Sequence, residues 1–135
     1  MIKQFIAKTV RHLLKLTPQH SIYSAALPQT PNAVELSYLG TAGFIIKNQQ
    51  RTVVLDPYLS RIGVTELLRP LHTNTDLLKK YIPKADEVLI GHAHYDHILD
   101  APDLCKQTGA RLIGSKAACM VGRAAGLPES QLVET

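Results

Sequence analysis

The chain has 135 residues, 45% of them apolar and 19% charged, with a formal net charge of +4. That balance supplies apolar side chains for a core and excludes a disordered chain, and no apolar run reaches the roughly 18 residues a membrane span requires. The positive excess is modest and forms no basic stripe with interleaved aromatics, so no specific nucleic-acid binding is indicated.

Residues 1–32 differ in character from the rest. Ile2, Phe5, Ile6, Val10, Leu13, Leu14 and Leu16 are interspersed with Lys3, Lys8, Arg11 and Lys15, the pattern of a basic amphipathic helix over 1–16 that Pro18 ends. The segment lacks the continuous apolar core and small-residue cleavage site of a secretion signal. Its basic face leaves two roles open, peripheral membrane contact and docking against a partner. Pro18, Pro28 and Pro31 mark 17–32 as a linker. Residues 33–135 read as the folded domain.

Val34 to Tyr38 alternates as a strand does, and Gly40-Thr41-Ala42-Gly43 supplies a tight connection to a second strand, Phe44 to Lys47. Asn48-Gln49-Gln50 turns the chain into Thr52–Leu55, which stops at Asp56-Pro57 because proline cannot donate to a ladder. With no Gly-Lys-Ser/Thr after them, the glycines at 40 and 43 do not make a phosphate loop. Leu59 to Thr75 reads as an irregular surface excursion that carries His72 into solvent or toward a substrate.

A short helix is expected over Asp76–Ile82, before Pro83, and a buried strand over Val88–Ile90, ending in Gly91. Asp100, with Asp103 three positions on, reads as the N-cap of a helix from Ala101 to Thr108 that ends before Gly109. Leu112-Ile113 makes a strand, a helix follows from Ser115 or Lys116 to about Ala125, and Leu132-Val133 starts another strand. This order predicts a layered α/β architecture with active residues at the carboxyl end of a strand. Cys105 and Cys119 fall in the helices without Cys-x-x-Cys spacing. They read as buried thiols in a reducing compartment, which makes a cytoplasmic location the expectation.

The hexapeptide His92-Ala93-His94-Tyr95-Asp96-His97 places three imidazoles and a carboxylate within six residues. These are ligands that zinc accepts and that iron or manganese also use. In an extended exit from the preceding strand, His92 and His94 project to one side and can share a metal. Adjacent residues rarely serve one ion, so Asp96 and His97 address a second. Two metals about 3.5–4 Å apart are a known device for activating water toward hydrolysis. Ser37 and Ser60 have no setting that would make either a nucleophile.

The run from Leu36 to His97 resembles the metallo-beta-lactamase fold superfamily of metal-dependent hydrolases. The resemblance rests on Tyr38-Leu39-Gly40-Thr41-Ala42-Gly43-Phe44, on Val54-Leu55-Asp56-Pro57, and on the His-x-His-x-Asp-His signature at 92–97. Leu-Gly-x-x-Gly-Phe and His-Tyr-Asp-His are most similar to the branch containing N-acylphosphatidylethanolamine phospholipase D and the ascorbate-6-phosphate lactonases. The resemblance implies a four-layer αββα sandwich with two zinc ions in its crevice. His92 and His94 would bind the first ion, Asp96 and His97 the second, and Asp96 would also orient the attacking water as the catalytic residue. Asp56 would hold a ligand or its loop by a hydrogen bond, the other reading being that it caps the turn before Pro57.

The resemblance further implies a third histidine, a bridging aspartate and another histidine downstream, yet no histidine follows His97 in the sequence. The expectation is therefore the N-terminal half of such a sandwich, a truncated or fragmentary hydrolase with little activity of its own. Its substrate would be a small-molecule or lipid-like ester, lactone or phosphodiester. A sheet without its facing partner would leave apolar surface open to self-association. The alternative is a catalytically silent module that binds a protein or a membrane.

Overall fold

A computed structural model describes residues 23–24, 33–63 and 68–135. The helix expected over 1–16 lies outside these residues. The strands are β1 (Tyr23–Ser24), β2 (Glu35–Gly40), β3 (Gly43–Lys47), β4 (Thr52–Leu55), β5 (Glu87–Ile90), β6 (Arg111–Gly114) and β7 (Leu132–Glu134), and the helices are α1 (Thr75–Tyr81), α2 (Tyr95–Ile98), α3 (Ala101–Thr108) and α4 (Lys116–Ala124).

The strands form one seven-stranded sheet in chain order. From β1 to β4 neighbours run antiparallel, with short turns joining β2 to β3 and β3 to β4, and from β4 to β7 they run parallel. Parallel neighbours need crossovers, which here contain α1, then α2 and α3, then α4. Two residues within the expected linker depart from that reading: Tyr23 and Ser24 pair with Tyr38 and Ser37 at the sheet edge. No helix among the described residues is long and apolar enough to cross a membrane.

Local chemistry sets the helix ends. Asn74 caps α1 by accepting from the Leu77 N–H, and the Ser115 hydroxyl accepts from the Ala118 N–H to start α4. Gly109 ends α3 in the left-handed conformation at φ 76°, with its N–H on the Cys105 carbonyl. Asp100 does precede α3, but its side chain makes no capping bond. The carboxylate turns instead toward Leu59 and Ser60, which corrects the capping role. Leu59 itself is fully buried, so the segment after Asp56 starts inside the molecule and not as a surface excursion.

Register decides which sheet face is covered. Val54, Val88 and Leu112 are direct neighbours across three strands and are all fully buried. They pack with Leu78 and Ile82 at α1, Leu104 and Cys105 of α3, and Ala118 and Cys119 of α4. The opposite face carries Tyr38, Phe44, Leu55, Leu89, Ile113 and Val133 in one cross-strand row. These side chains are only partly buried and none joins the core cluster. The architecture is thus a mixed sheet with helices packed against one face.

Candidate metal centre

β5 delivers the hexapeptide. Its last residue, Ile90, is anchored in the core, Gly91 leaves the sheet, and His94 is extended at φ −81° and ψ 156°. Extended backbone places alternate side chains on one side, and the rings of His92 and His94 meet edge to face with centroids 4.0 Å apart. The chain then closes into the single turn α2, which brings the His97 ring back to 5.5 Å from that of His92. His97 Nε2 lies 3.8 Å from Asp96 Oδ2. The structure therefore sets the His92 ring beside those of His94 and His97, with Asp96 next to the His97 ring.

β4 brings Asp56 to the same place. Asp56 ends its strand at φ 41°, a left-handed conformation uncommon for a residue with a side chain. Its buried carboxylate reaches across to the end of β5, where Oδ1 accepts from the Gly91 N–H at 2.8 Å and Oδ2 pairs with His97 Nδ1 at 3.0 Å. With the Asp56 carboxylate accepting, the hydrogen of this contact sits on Nδ1, and Nε2 is the ring nitrogen left facing Asp96. Pairing with a carboxylate is a common way to orient a metal-ligating histidine.

Gly91 is what allows the approach. A Cβ at that position would lie 3.2 Å from Asp56 Oδ2. In the sequence Gly91 reads only as a strand stop, because a close approach by a residue 35 positions earlier leaves no local pattern.

Asp100 is a second residue whose role the sequence misplaces. It is fully buried, and it accepts from the N–H groups of Leu59 and Ser60 and from the Ser60 hydroxyl. Burial pushes its carboxyl above the ordinary range, while the bonds from Ser60 and Leu59 pull it back. His72, also singled out in the sequence, is exposed and lines an open cavity of about 410 Å³ with Ala93, Tyr95 and Pro102. Ala93 alternates with His92 and His94, so that cavity opens behind the motif backbone and not where the imidazoles meet.

The donor set fits a borderline divalent ion in kind: three imidazoles, one held through Nδ1 by Asp56, and a carboxylate alongside. Among the described residues, however, no three His, Cys, Asp or Glu side chains are already gathered around one point as ligands. His92 and His94 are exposed, and their rings pack against each other.

The mixed α/β sheet thus presents an imidazole-rich turn at the carboxyl end of a parallel strand. Residues 51–134 match the family model of the beta-lactamase superfamily domain, and the chain belongs to that family. Relatives carry the description UPF0173 metal-dependent hydrolase. That from Anaeromyxobacter sp. (strain K) is 36% identical over 98 residues, covering 72% of this chain and 32% of the relative. That from Thermodesulfovibrio yellowstonii is 36% identical over 104 residues, covering 73% of this chain and 35% of the relative. The chain thus spans about a third of the length of the curated relatives it matches. Among solved structures it is similar to Igni18, a metallo hydrolase from the hyperthermophilic archaeon Ignicoccus hospitalis, with 29% identity and a TM-score of 0.53 over 76% of this chain and 39% of that one.

Proposed function

We propose that this chain carries the metal-binding turn of a hydrolase that directs water at an ester, lactone or phosphodiester bond. His92 and His94 would hold one zinc ion, and Asp96 and His97 a second. Bound there, such ions supply Lewis acidity, polarising the scissile carbonyl or phosphoryl oxygen and lowering the pKa of water from about 15.7 toward 7. The protein's own part is positional. Asp56 would orient His97 through Nδ1, and the partly exposed Asp96 carboxylate would accept a hydrogen bond from the attacking water and aim its lone pair. Family membership, the UPF0173 relatives and the signature at 92–97 support this reading. The observation that carries it is the line Asp56–His97–Asp96, with contacts of 3.0 and 3.8 Å.

The signature's branch points to lipid-like phosphodiesters and sugar lactones as first substrates to try. Two buried free thiols favour a reducing, cytoplasmic setting. Zinc titration of the purified chain, with hydrolysis of a model phosphodiester and a model lactone, tests the proposal. Loss of one zinc ion on His92→Ala and His94→Ala, and of the other on Asp96→Ala and His97→Ala, is expected. Zinc stoichiometry that none of these substitutions lowers would overturn it.

A second reading, an interaction module without catalysis, is favoured by the half-exposed row of Tyr38, Phe44, Leu55, Leu89, Ile113 and Val133. Concentration-dependent association that Leu89→Glu removes while His92→Ala leaves it intact would support that reading.

A further inference from the structure

Two buried carboxylates stitch the same two loops together in opposite directions. Asp56, from the loop after β4, reaches the motif through Gly91 and His97. Asp100, three residues beyond His97, reaches back to the loop after β4 through the Leu59 N–H, the Ser60 N–H at 2.8 Å and the Ser60 hydroxyl. Ser60 Oγ accepts in turn from the Asn74 N–H at 2.6 Å, which ties the strap to the residue that caps α1.

The segment between these ties has reason to need them. Asp56 at φ 41° and Arg61 at φ 39° both occupy the left-handed region, so strained residues bracket 57–60. Such a conformation is costly for a residue with a side chain and persists only where its surroundings hold it. Three donors converge on Asp100, and an ionised carboxylate, with two acceptor oxygens and no hydrogen, can take them all. An asparagine of the same shape would turn an N–H₂ toward at least one donor. Because the carboxylate makes no bond to its own helix, capping does not explain it.

We propose that Asp100, with Ser60, is a positioning residue for His97. It locks the 57–60 segment so that Asp56 is held at the distance and angle that keep the His97 proton on Nδ1. The consequence for metal binding rests on the reading that His97 is a ligand. The consequence for the imidazole does not.

The experiment uses the full chain as wild type, Asp100→Asn, Ser60→Ala and Asp56→Asn. The imidazole nitrogens of the metal-free protein are observed by NMR at about pH 8, above the ordinary histidine pKa of about 6.5. Far below the melting temperature, wild type is expected to show His97 as the Nδ1–H tautomer. Asp100→Asn should move it toward the Nε2–H tautomer expected of Asp56→Asn, and Ser60→Ala should move it less in the same direction. The exposed His72 should not change in any of them. Zinc titration should follow, with Asp100→Asn binding about 10- to 100-fold more weakly, the range for lost outer partners of a ligand.

A folded Asp100→Asn that keeps the wild-type His97 tautomer overturns the proposal. If Asp100→Asn does not fold, Ser60→Ala decides, and wild-type His97 resonances in that variant overturn it equally. If wild type binds no zinc, the ligand reading fails, while the tautomer comparison still decides whether Asp100 positions His97.

Discussion

Asp56 and His97 sit 41 positions apart in the chain and share a hydrogen bond of 3.0 Å between Oδ2 and Nδ1. One residue closes β4, and the other lies in the short helix after β5. Parallel pairing of those strands, with Leu55 opposite Leu89, brings the two together at the carboxyl edge of the sheet. Asp56→Asn leaves an oxygen for the Gly91 N–H but presents an amide hydrogen to His97, which favours the tautomer protonated on Nε2. Stability should stay within about 1–2 kcal/mol of wild type, the scale of one weakened hydrogen bond. Zinc affinity should fall by about 10- to 100-fold. Urea unfolding and zinc calorimetry on the same preparation check the split, and equal losses in both would mean Asp56 only supports the fold.

Gly91→Ala tests the same contact from the other side. Its Cβ would meet Asp56 Oδ2 at 3.2 Å and Oδ1 at 3.7 Å, so the carboxylate must give way. Overpacking of this kind costs about 1–3 kcal/mol. A crystal structure of the variant should show Asp56 displaced from His97 Nδ1, with weaker zinc binding as the result. Retained contact and retained affinity would show that the loop yields elsewhere.

What the sequence made legible was what neighbours in the chain decide. Thr52–Leu55 is apolar and β-branched and stops at a proline, and Ala101–Thr108 has an end marked by Gly109; both lie where their pattern predicts. The family signature was legible because its residues fall within six positions of one another. Partnerships across the fold were not. Asp100 before a helix looks like a cap, yet its partner Leu59 lies 41 positions earlier. The turn α2 is four residues long and made of the motif itself, so it has no periodicity to read. Tyr23–Ser24 pairs only because the edge of β2 is open to it, which nothing in a Pro-containing segment announces.

The buried thiols report on the core. Cys105 and Cys119 are both fully buried, and burial pushes the Cys105 thiol up to about 12. Since the thiolate is the reactive form, neither should label with a disulfide reagent at neutral pH while the protein is folded. Labelling should follow the urea unfolding transition measured by circular dichroism. Stoichiometric labelling within seconds in native buffer would mean that α3 and α4 do not pack on the sheet as described.

Asp100 should also leave a signature in stability against pH. Its folded pKa is raised, first by burial and further by the negative charge of Asp103 on the same helix, with Ser60 and Leu59 pulling the other way. The Tyr58 hydroxyl, whose pKa is raised chiefly by burial, also feels the Asp100 charge. A raised carboxyl pKa means that the folded state holds the proton more tightly than the unfolded state. Its contribution to stability is full below the ordinary value of 3.8 and is lost as pH rises through the folded pKa. Asp100→Asn cannot ionise and lacks this term. The stability of wild type minus that of Asp100→Asn should therefore decline with rising pH across that window, then level off once the folded carboxyl is ionised. Urea unfolding of both proteins at closely spaced pH values from below 3.8 upward measures it. A difference that grows with pH there would mean that the three hydrogen bonds to the carboxylate outweigh its burial, placing the folded pKa below the ordinary value.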